Sequence, residues 1–344
     1  MVNKEILYRD SIVVRQMPVN INQSDLGLFE HEIKREIPAT LLLHFEDITV
    51  NPDGALVYNN KILPETFPSP HFVNSWAGFR VWLKLFLKNF IKYWEYKNLD
   101  REVYWITDIW SQGYFHWMTD TLSRLYAIKD KIGNATLLLP GDYCNFEYIV
   151  SSLKPFLIQD VRFIQSKFRC KNLKIPTHAA TTGNYNEEIM RGLRSLYTNY
   201  FQVSNNDDPS ERIYISRGKT QKREIINENE LIELIEQYGF KTVHFEDYSF
   251  EEQVKTAIGT RYLISNHGGG LSNILFMRSG SKMMELRKAA DNHNNCFYSL
   301  ASCLNIDYFY QLCNSPNSDE DAHTANLIVD CDLLKNNIEK MLKS

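Results

Sequence analysis

The sequence predicts an α/β protein of two domains, and three observations support this expectation. The chain has 344 residues, of which 44% are apolar, enough for two hydrophobic cores. In its C-terminal half, short β-rich runs alternate with helical patterns. One of these runs passes directly into three glycines, as strand-to-helix turns in α/β folds often do. The alternation implies a parallel sheet covered by helices.

The C-terminal half supplies the clearest elements. Two helices are predicted between its strands, at 229–239 and at 249–259; the second opens with the capping pair Ser249 and Glu252. The predicted strands are 212–217, 241–245, 261–265 and 282–286. A last helical pattern covers 329–342 and is expected to pack back across the domain junction.

The N-terminal half predicts a second α/β domain with a less regular start. Two strands, 39–45 and 55–58, flank the turn 51–54, and a further strand covers 103–106. Alternation then resumes with helix 115–128, strand 136–139, helix 146–157 and strand 161–164. The polar segment 204–210 is the predicted linker. The predicted domains are therefore 1–204 and 205–325, followed by a C-terminal helix at 326–344.

Bulk composition excludes several classes of function. A net charge of −4 argues against a nucleic-acid partner. The six cysteines form no C-x-x-C pair and no zinc-like spacing, so they are expected to be reduced. The first residues contain no apolar signal segment, which predicts a cytoplasmic location.

A basic, aromatic-rich segment at 76–94 raises the alternative that the protein contacts a membrane. Arg80, Lys84, Lys88 and Lys92 recur every four residues and so share one helix face. Four cations make a transmembrane span improbable. Two interpretations stay open: peripheral contact with the cytoplasmic face of a membrane, and a packed helix whose basic stripe faces water.

The glycine turn is the first candidate site. Strand 261–265 leads through Asn266 and His267 into Gly268, Gly269 and Gly270, where the absence of Cβ atoms lets a ligand approach the backbone. A following helix N-terminus suits an anion such as a diphosphate. The alternative is a tight turn with no ligand. Its position at the carboxyl end of a parallel strand favours binding.

The helix at 115–128 carries the second candidate. His116, Asp120 and Arg124 are spaced four apart, so they project from one helix face and are expected to interact in sequence. A carboxylate beside an imidazole raises its basicity and fixes its orientation, as a general base requires. A solvated ladder of charges is the alternative, and the aromatic neighbours favour a buried setting.

The third and fourth candidates lie near the glycine turn. A basic loop follows strand 212–217 and contains Arg217, Lys219, Lys222 and Arg223, which suit a diphosphate without metal; a solvated loop is the alternative. Glu285, at the predicted end of strand 282–286, is expected to accept hydrogen bonds from a ribose, or to pair with Arg287 or Arg278. Two D-x-D runs, at 319–321 and 330–332, lie away from these strand ends and are interpreted as solvated, so no metal is expected.

Together these motifs resemble glycosyltransferase family 61. The resemblance rests on FHWMTDTLSR at 115–124, on IYISR at 213–217 with Arg223 and the Asn227–Glu228 pair, and on ISNHGGGLSNILFM at 264–277. It implies a GT-B architecture of two Rossmann-like domains facing a cleft, and metal-independent, inverting transfer from a nucleotide sugar. Since eukaryotic members carry a signal anchor, the chain resembles the bacterial group that builds capsules and other surface polysaccharides.

The resulting hypothesis assigns a role to each candidate. The diphosphate of a donor, most simply a UDP-sugar, is expected to lie between Arg217, Arg223 and the glycine turn. His267 and Asn273 would border it, and either Asp120 or His116 would deprotonate a hydroxyl of a glycan or lipid-linked glycan. Two alternatives remain: a non-catalytic nucleotide-sugar binder in a polysaccharide assembly, and a GT-B epimerase or hydrolase of sugar nucleotides.

Overall fold

The computed structural model describes residues 3–91, 96–179, 181–201, 209–218, 222–291, 295–317 and 319–344, apart from the side chains of 70 and 89–91. The chain divides into two compact units. Unit 1 comprises Met1–Ser11 and Glu36–Leu193, and unit 2 comprises Ile12–Arg35 and Arg194–Ser344. The predicted domain limits stay a prediction; in the structure, Ile12–Arg35 groups with unit 2.

Strands and helices alternate along most of the described chain. The strands are β1 (Asn3–Tyr8), β2 (Ser11–Val14), β3 (Lys34–Ile37), β4 (Thr40–Val50), β5 (Leu56–Tyr58), β6 (Lys61–Ile62), β7 (Tyr96–Trp105), β8 (Thr136–Pro140), β9 (Asp160–Ile164), β10 (Lys167–Pro176), β11 (Glu211–Ile215), β12 (Lys241–Val243), β13 (Thr260–Asn266), β14 (Lys282–Lys288) and β15 (Asp307–Cys313). The α-helices are α1 (Leu26–Phe29), α2 (Pro70–Val73), α3 (Trp76–Ile91), α4 (Tyr114–His116), α5 (Leu122–Ala127), α6 (Glu147–Leu153), α7 (Glu187–Tyr200), α8 (Glu228–Glu236), α9 (Phe250–Gly259), α10 (Cys296–Cys303) and α11 (Cys331–Lys343).

Unit 1 contains a mixed sheet with the strand order β6-β5-β4-β10-β7-β8-β9, and β1 pairs with β4 off this path. The strands from β10 to β9 are parallel neighbours, whereas β4 is antiparallel to β1, β5 and β10. Every residue of β8 is buried, as expected of a strand inside a parallel sheet. The mixed α/β class is confirmed, and β10 is a strand that the sequence did not predict.

Unit 2 contains a parallel sheet with the strand order β12-β11-β13-β14-β15. All seven residues of β14 are buried, because the neighbouring layers cover both of its faces. The predicted strands correspond to β11 to β14, and β15 is an additional edge strand. This sheet places the carboxyl ends of β11, β13 and β14 at one edge, which is where the glycine turn lies.

Helices α8 and α11 pack on the core of unit 2. Leu231 and Ile235 of α8, and Leu334, Ile338 and Met341 of α11, are buried in the same cluster as the sheet side chains. Their three- and four-residue spacing places each set on one helix face. The predicted C-terminal helix is therefore present, and it contributes to the core of unit 2.

The N-terminal segment of unit 2 packs on β15 and on α10. Phe29 is fully buried, with its ring centroid 5.1 Å from that of Tyr298 and 5.1 Å from that of Tyr310. The Asn20 side chain donates to the Tyr310 carbonyl at 2.7 Å and accepts from the Tyr310 N–H at 3.1 Å. Because these contacts span nearly the whole chain, no local pattern predicts them.

Helix α3 presents an exposed apolar stripe. Trp76 is 73% exposed and stacks on Phe79, which is 47% exposed and stacks in turn on Trp82. Of the four predicted cations, Lys88 pairs with Asp53 at 3.5 Å, and Lys92 lies outside the described residues. No helix in the described ranges combines the length and apolar character needed to cross a bilayer.

Candidate active site

The first cluster of functional side chains lies in unit 1, where the adjacent parallel strands β7 and β10 end. The segment after β7 carries Asp108 and Trp110, and the segment after β10 carries His178 and Thr182. Ligands of parallel sheets bind beyond the carboxyl ends of strands, so this edge is the expected position of a site.

His116 and Asp120 form the predicted pair. Nδ1 of His116 lies 2.8 Å from Oδ2 of Asp120, and the same oxygen accepts a hydrogen bond from Thr182 Oγ1 at 3.0 Å. Asp120 is 8% exposed, whereas a quarter of the His116 side chain remains exposed. The carboxylate therefore fixes the imidazole and leaves Nε2 for a substrate, which is the relation between orienting group and base in hydrolase triads. The Trp110 ring, 4.9 Å away, covers one side of His116.

The helix that carries this pair is not a regular α-helix. Between α4 and α5 the residues Trp117–Thr121 form a π-helical turn, and all five are buried. A π-turn changes the angular position of the residues that follow it and occurs often at functional sites.

Arg124 consequently does not continue the predicted series of contacts from His116 through Asp120. Its guanidinium is fully buried, donates from Nε to the Pro176 carbonyl at 3.0 Å, and approaches Asp108 with Nη1 at 3.8 Å from Oδ2. The expected direct pair with Asp120 is absent from the hydrogen bonds and ion pairs of the described residues. The predicted interaction of His116 with Asp120 is present as a hydrogen bond, whereas Asp120 acts on Arg124 only through its charge.

A second histidine–aspartate pair accompanies the first. Nε2 of His178 lies 2.7 Å from Oδ2 of Asp108, whose Oδ1 accepts the Trp110 N–H at 2.8 Å. Burial raises the pKa of Asp108, but the hydrogen bond and charge of His178, together with the charge of Arg124, outweigh burial and hold this pKa below its usual value. The sequence analysis missed this pair. Asp108 comes two residues after the predicted strand 103–106, and that position was the available signal.

In unit 2 the glycine turn lies beyond β13, as predicted. The segment after it, Gly269–Phe276, is a 3₁₀-helix and not the predicted α-helix, and its first hydrogen bond runs from Leu271 N to Gly268 O at 3.0 Å. The stabilisation of an anion expected at the N-terminus of an α-helix is therefore smaller at this turn. The absence of Cβ atoms does matter: a Cβ on Gly268 would lie 2.4 Å from Arg217 Nη1, and one on Gly270 would lie 3.2 Å from Ile215 Cγ2.

Arg217 and Arg223 converge on this turn. Arg223, in a left-handed backbone conformation with φ of 59°, donates from Nη1 to the His267 carbonyl at 3.0 Å. Burial lowers its pKa to about 10, and the charge of Arg217 contributes to the shift. Burial also lowers the pKa of Arg217. Two partly buried cations that repel each other form a site where an anion would be stabilised. Lys219, the third predicted ligand, lies outside the described residues, and Lys222 is exposed.

His267 is held by Glu285, which has a position different from the predicted one. Strand β14 continues to Lys288, so Glu285 lies in the middle of the strand and is fully buried. Its Oε1 bonds to His267 Nδ1, and its Oε2 accepts from Tyr308 Oη at 2.6 Å. Burial raises the Glu285 pKa, but the charge and hydrogen bond of His267, the charge of Arg287 and the hydrogen bond of Tyr308 lower it overall. The carboxylate thus orients His267, and the ribose role stays a prediction.

The remaining candidates have local structural partners. Asn273 is buried and donates to Gly270 O at 3.0 Å within its own 3₁₀-helix. In the two D-x-D runs, Asp330 caps α11 by accepting from Leu333 N at 2.9 Å, and Asp321 accepts from His323 N at 2.8 Å. Among the residues that the structure describes, no three His, Cys, Asp or Glu side chains converge as a metal site requires.

Comparison with known proteins supports the family resemblance. The family profile described as Glycosyltransferase 61 matches residues 114–284, a range that contains the His116–Asp120 pair, His178 and the glycine turn, whereas Asp108 lies before it. The EGF domain-specific O-linked N-acetylglucosamine transferase of Drosophila melanogaster is 32% identical over 106 residues, covering 29% of this chain and 20% of that protein. The enzyme of the same name from Canis lupus familiaris is 28% identical over 106 residues, with the same coverage.

The match thus spans about a fifth of the length of these relatives. Both are animal proteins, so they lend no support to the predicted bacterial capsular group. The profile match over residues 114–284, just under half of the chain, and the similarity to these transferases support a glycosyltransferase of family 61.

Proposed function

We propose that the chain transfers a sugar from a nucleotide-sugar donor, most simply a UDP-sugar, to an acceptor hydroxyl with inversion and without a metal. The observation that carries the donor assignment is the pair Arg217 and Arg223 at the glycine turn. Gly268 has no Cβ, and this lets the Arg217 guanidinium lie against the turn. Arginine forks match phosphate oxygens, so the two can stabilise the negative charge that develops on a leaving diphosphate.

Unit 1 supplies the base in this proposal. Held by Asp120 through Nδ1, His116 takes the proton of the acceptor hydroxyl on Nε2. The oxygen attacks the anomeric carbon as the bond from that carbon to the diphosphate breaks, and the nucleoside diphosphate leaves with the electron pair. His267 and Asn273 are proposed to border the diphosphate, and Glu285 acts through His267. The GT-B arrangement belongs to the same proposal and is supported by the all-parallel sheet of unit 2.

The acceptor is proposed to be a hydroxyl of a glycan or a lipid-linked glycan. A second candidate follows from the names of the relatives, which describe transfer of N-acetylglucosamine to EGF domains. In that case the donor would be UDP-N-acetylglucosamine and the acceptor a protein hydroxyl. A non-catalytic binder would need no oriented base, and the His116–Asp120 pair therefore favours catalysis.

Base variants test the proposal. His116→Ala and Asp120→Ala are each expected to lower the transfer rate by roughly 10²- to 10⁴-fold, the usual contribution of a general base. Binding of UDP, measured by calorimetry, should remain unchanged in both. Arg217→Ala is the complementary variant and should weaken UDP binding. Wild-type transfer rates in both base variants would show that the base has been assigned wrongly.

A further inference from the structure

Unit 1 contains a cavity of about 290 Å³ beside the Asp108–His178 pair. This volume is close to the lower end of small-molecule sites, roughly 300 Å³. Its walls are mainly apolar and include Pro38, Leu41, Pro64 and Phe67. The polar groups are those of His178 and Glu65 and the hydroxyls of Ser69, Thr177 and Thr181. The predicted base, His116, does not line it. A small apolar pocket with a few polar groups is the usual form of a ligand site.

When its imidazole is neutral, His178 can accept a hydrogen bond in this cavity. Asp108, only 3% exposed, bonds to Nε2 and so places the proton of a neutral imidazole on that nitrogen. Nδ1 is then the acceptor, and no hydrogen bond occupies it within the described part of the chain. A fifth of the side chain, 19%, remains exposed, so a ligand can reach the ring.

Glu65 supplies a second acceptor. Its half-buried carboxylate makes no hydrogen bond to any residue in the described ranges. The buried cation Arg124 lies close enough for the charges of Asp108 and Glu65 to act on it. Arg124 has both Nη atoms buried without a hydrogen-bond partner among the described residues. We interpret it as a positioning residue whose charge favours the ionised form of Asp108.

Two hydrogen-bond acceptors between apolar walls select a ligand with several hydroxyl donors on a compact apolar frame. A pyranose ring has this character, since its C–H faces pack on proline and aromatic rings while its hydroxyls donate outward. A peptide segment offers one N–H donor per residue with an acceptor carbonyl beside it, whereas a pyranose places several hydroxyl donors on one compact ring and so matches two acceptors in a small cavity better. The lining therefore favours a carbohydrate over a peptide.

We propose that this cavity binds a pyranose ring of the acceptor, with hydroxyls donating to His178 Nδ1 and to the Glu65 carboxylate. This inference rests on the proposed function, because it identifies the acceptor of that reaction as a carbohydrate. His178 and Glu65 are then residues that determine acceptor specificity, whereas His116 remains the base.

The test measures sugar binding directly. A set of methyl pyranosides, including the methyl glycosides of glucose, galactose and N-acetylglucosamine, is titrated into the full chain and followed by protein and ligand NMR. Glu65→Gln preserves size, and His178→Gln removes the imidazole. Glu46→Gln is the matched control, because Glu46 lines a different cavity of unit 1. Each cavity variant is expected to raise the Kd of the tightest-binding glycoside about tenfold or more, because it removes a hydrogen bond to a charged or oriented acceptor.

The outcomes separate this inference from the function on which it rests. In transfer assays with a glycoside acceptor, His178→Gln and Glu65→Gln should raise KM for the acceptor and leave kcat and UDP binding unchanged. Unchanged glycoside affinity in both variants, a loss only in Glu46→Gln, or no binding of any glycoside by the native chain would overturn the cavity assignment. Glycoside binding at the cavity in a chain without transferase activity would uphold the cavity and refute the proposed function.

Discussion

Substitution of Gly268 by alanine tests the donor site through geometry alone. The new Cβ would lie 2.4 Å from Arg217 Nη1 and 3.1 Å from its Cζ, and ordinary contacts begin near 3.4 Å. The guanidinium must therefore move back by about 1 Å, the difference between 2.4 and 3.4 Å. The backbone itself tolerates alanine, since φ at Gly268 is 172° and thus extended. The perturbation acts on one side chain and leaves the chain path unchanged.

A displacement of about 1 Å breaks a charge-assisted hydrogen bond to a phosphate oxygen, because such bonds are effective only at about 2.7–2.9 Å. Loss of one such bond costs about 1.5–3 kcal/mol, which corresponds to a Kd for UDP roughly 10- to 150-fold weaker. The measurement is isothermal titration calorimetry with UDP. Gly259→Ala at the end of α9 is the control, since a Cβ there meets no atom nearer than 4.0 Å.

The double variant makes the reasoning refutable. If Gly268→Ala acts by moving Arg217, it should have almost no further effect on UDP affinity in an Arg217→Ala background, because the two substitutions remove the same contact. Native affinity in Gly268→Ala would contradict the geometric argument. Additive losses would show that the glycine acts on the ligand by another route.

Three further outcomes follow from the structure. The folded-state pKa of Glu285 lies below its ordinary value of 4.5, so the ionised carboxylate stabilises unit 2 above that pH. This contribution is lost as pH falls through the folded-state pKa. The melting temperature of Glu285→Gln should therefore fall less than that of the native protein between about pH 7 and 3. Ser249→Ala should lower the unfolding free energy by about 1 kcal/mol, since Ser249 Oγ caps α9 by accepting from Glu252 N; an unchanged denaturant midpoint would contradict this role. If α3 contacts a membrane, native protein should float with anionic liposomes, and the double variant Trp76→Ser, Phe79→Ser should float less. Native protein that stays out of the lipid fraction would refute membrane contact.

The parts of the fold that sequence predicted are those with local signals. Strands β11 to β14 are apolar runs bounded by turns, and the Ser249 cap is a four-residue pattern, so periodicity was sufficient to find them. Strand β10 was missed because charged and polar residues occupy much of its first half, and its burial alternates irregularly. Because β10 was not predicted, His178 could not be recognised as a residue at the carboxyl end of a parallel strand.

The parts of the site that sequence could not predict depend on long-range pairing. His178 and Asp108 are 70 residues apart, and Tyr308 reaches Glu285 from the neighbouring strand, 23 residues away. Nothing within either segment identifies its partner. Glu285 was assigned to a ribose because an acidic residue near a strand end has that role in nucleotide folds. The two additional residues of β14 move it to the strand interior and give both of its oxygens other partners.

The π-turn at Trp117–Thr121 explains why unit 1 has two histidine–aspartate pairs instead of one ladder. It leaves His116 with Asp120 but turns Arg124 toward Asp108, which also holds His178. The two imidazoles are bound in opposite senses: His116 is held through Nδ1 and presents Nε2, whereas His178 is held through Nε2 and presents Nδ1. Different roles require different kinetic signatures. Loss of the base lowers kcat and kcat/KM together, whereas loss of a group that binds substrate and transition state equally raises KM alone. His116→Ala should therefore show the first pattern and His178→Gln the second; the reverse would place the base on Asp108 and His178.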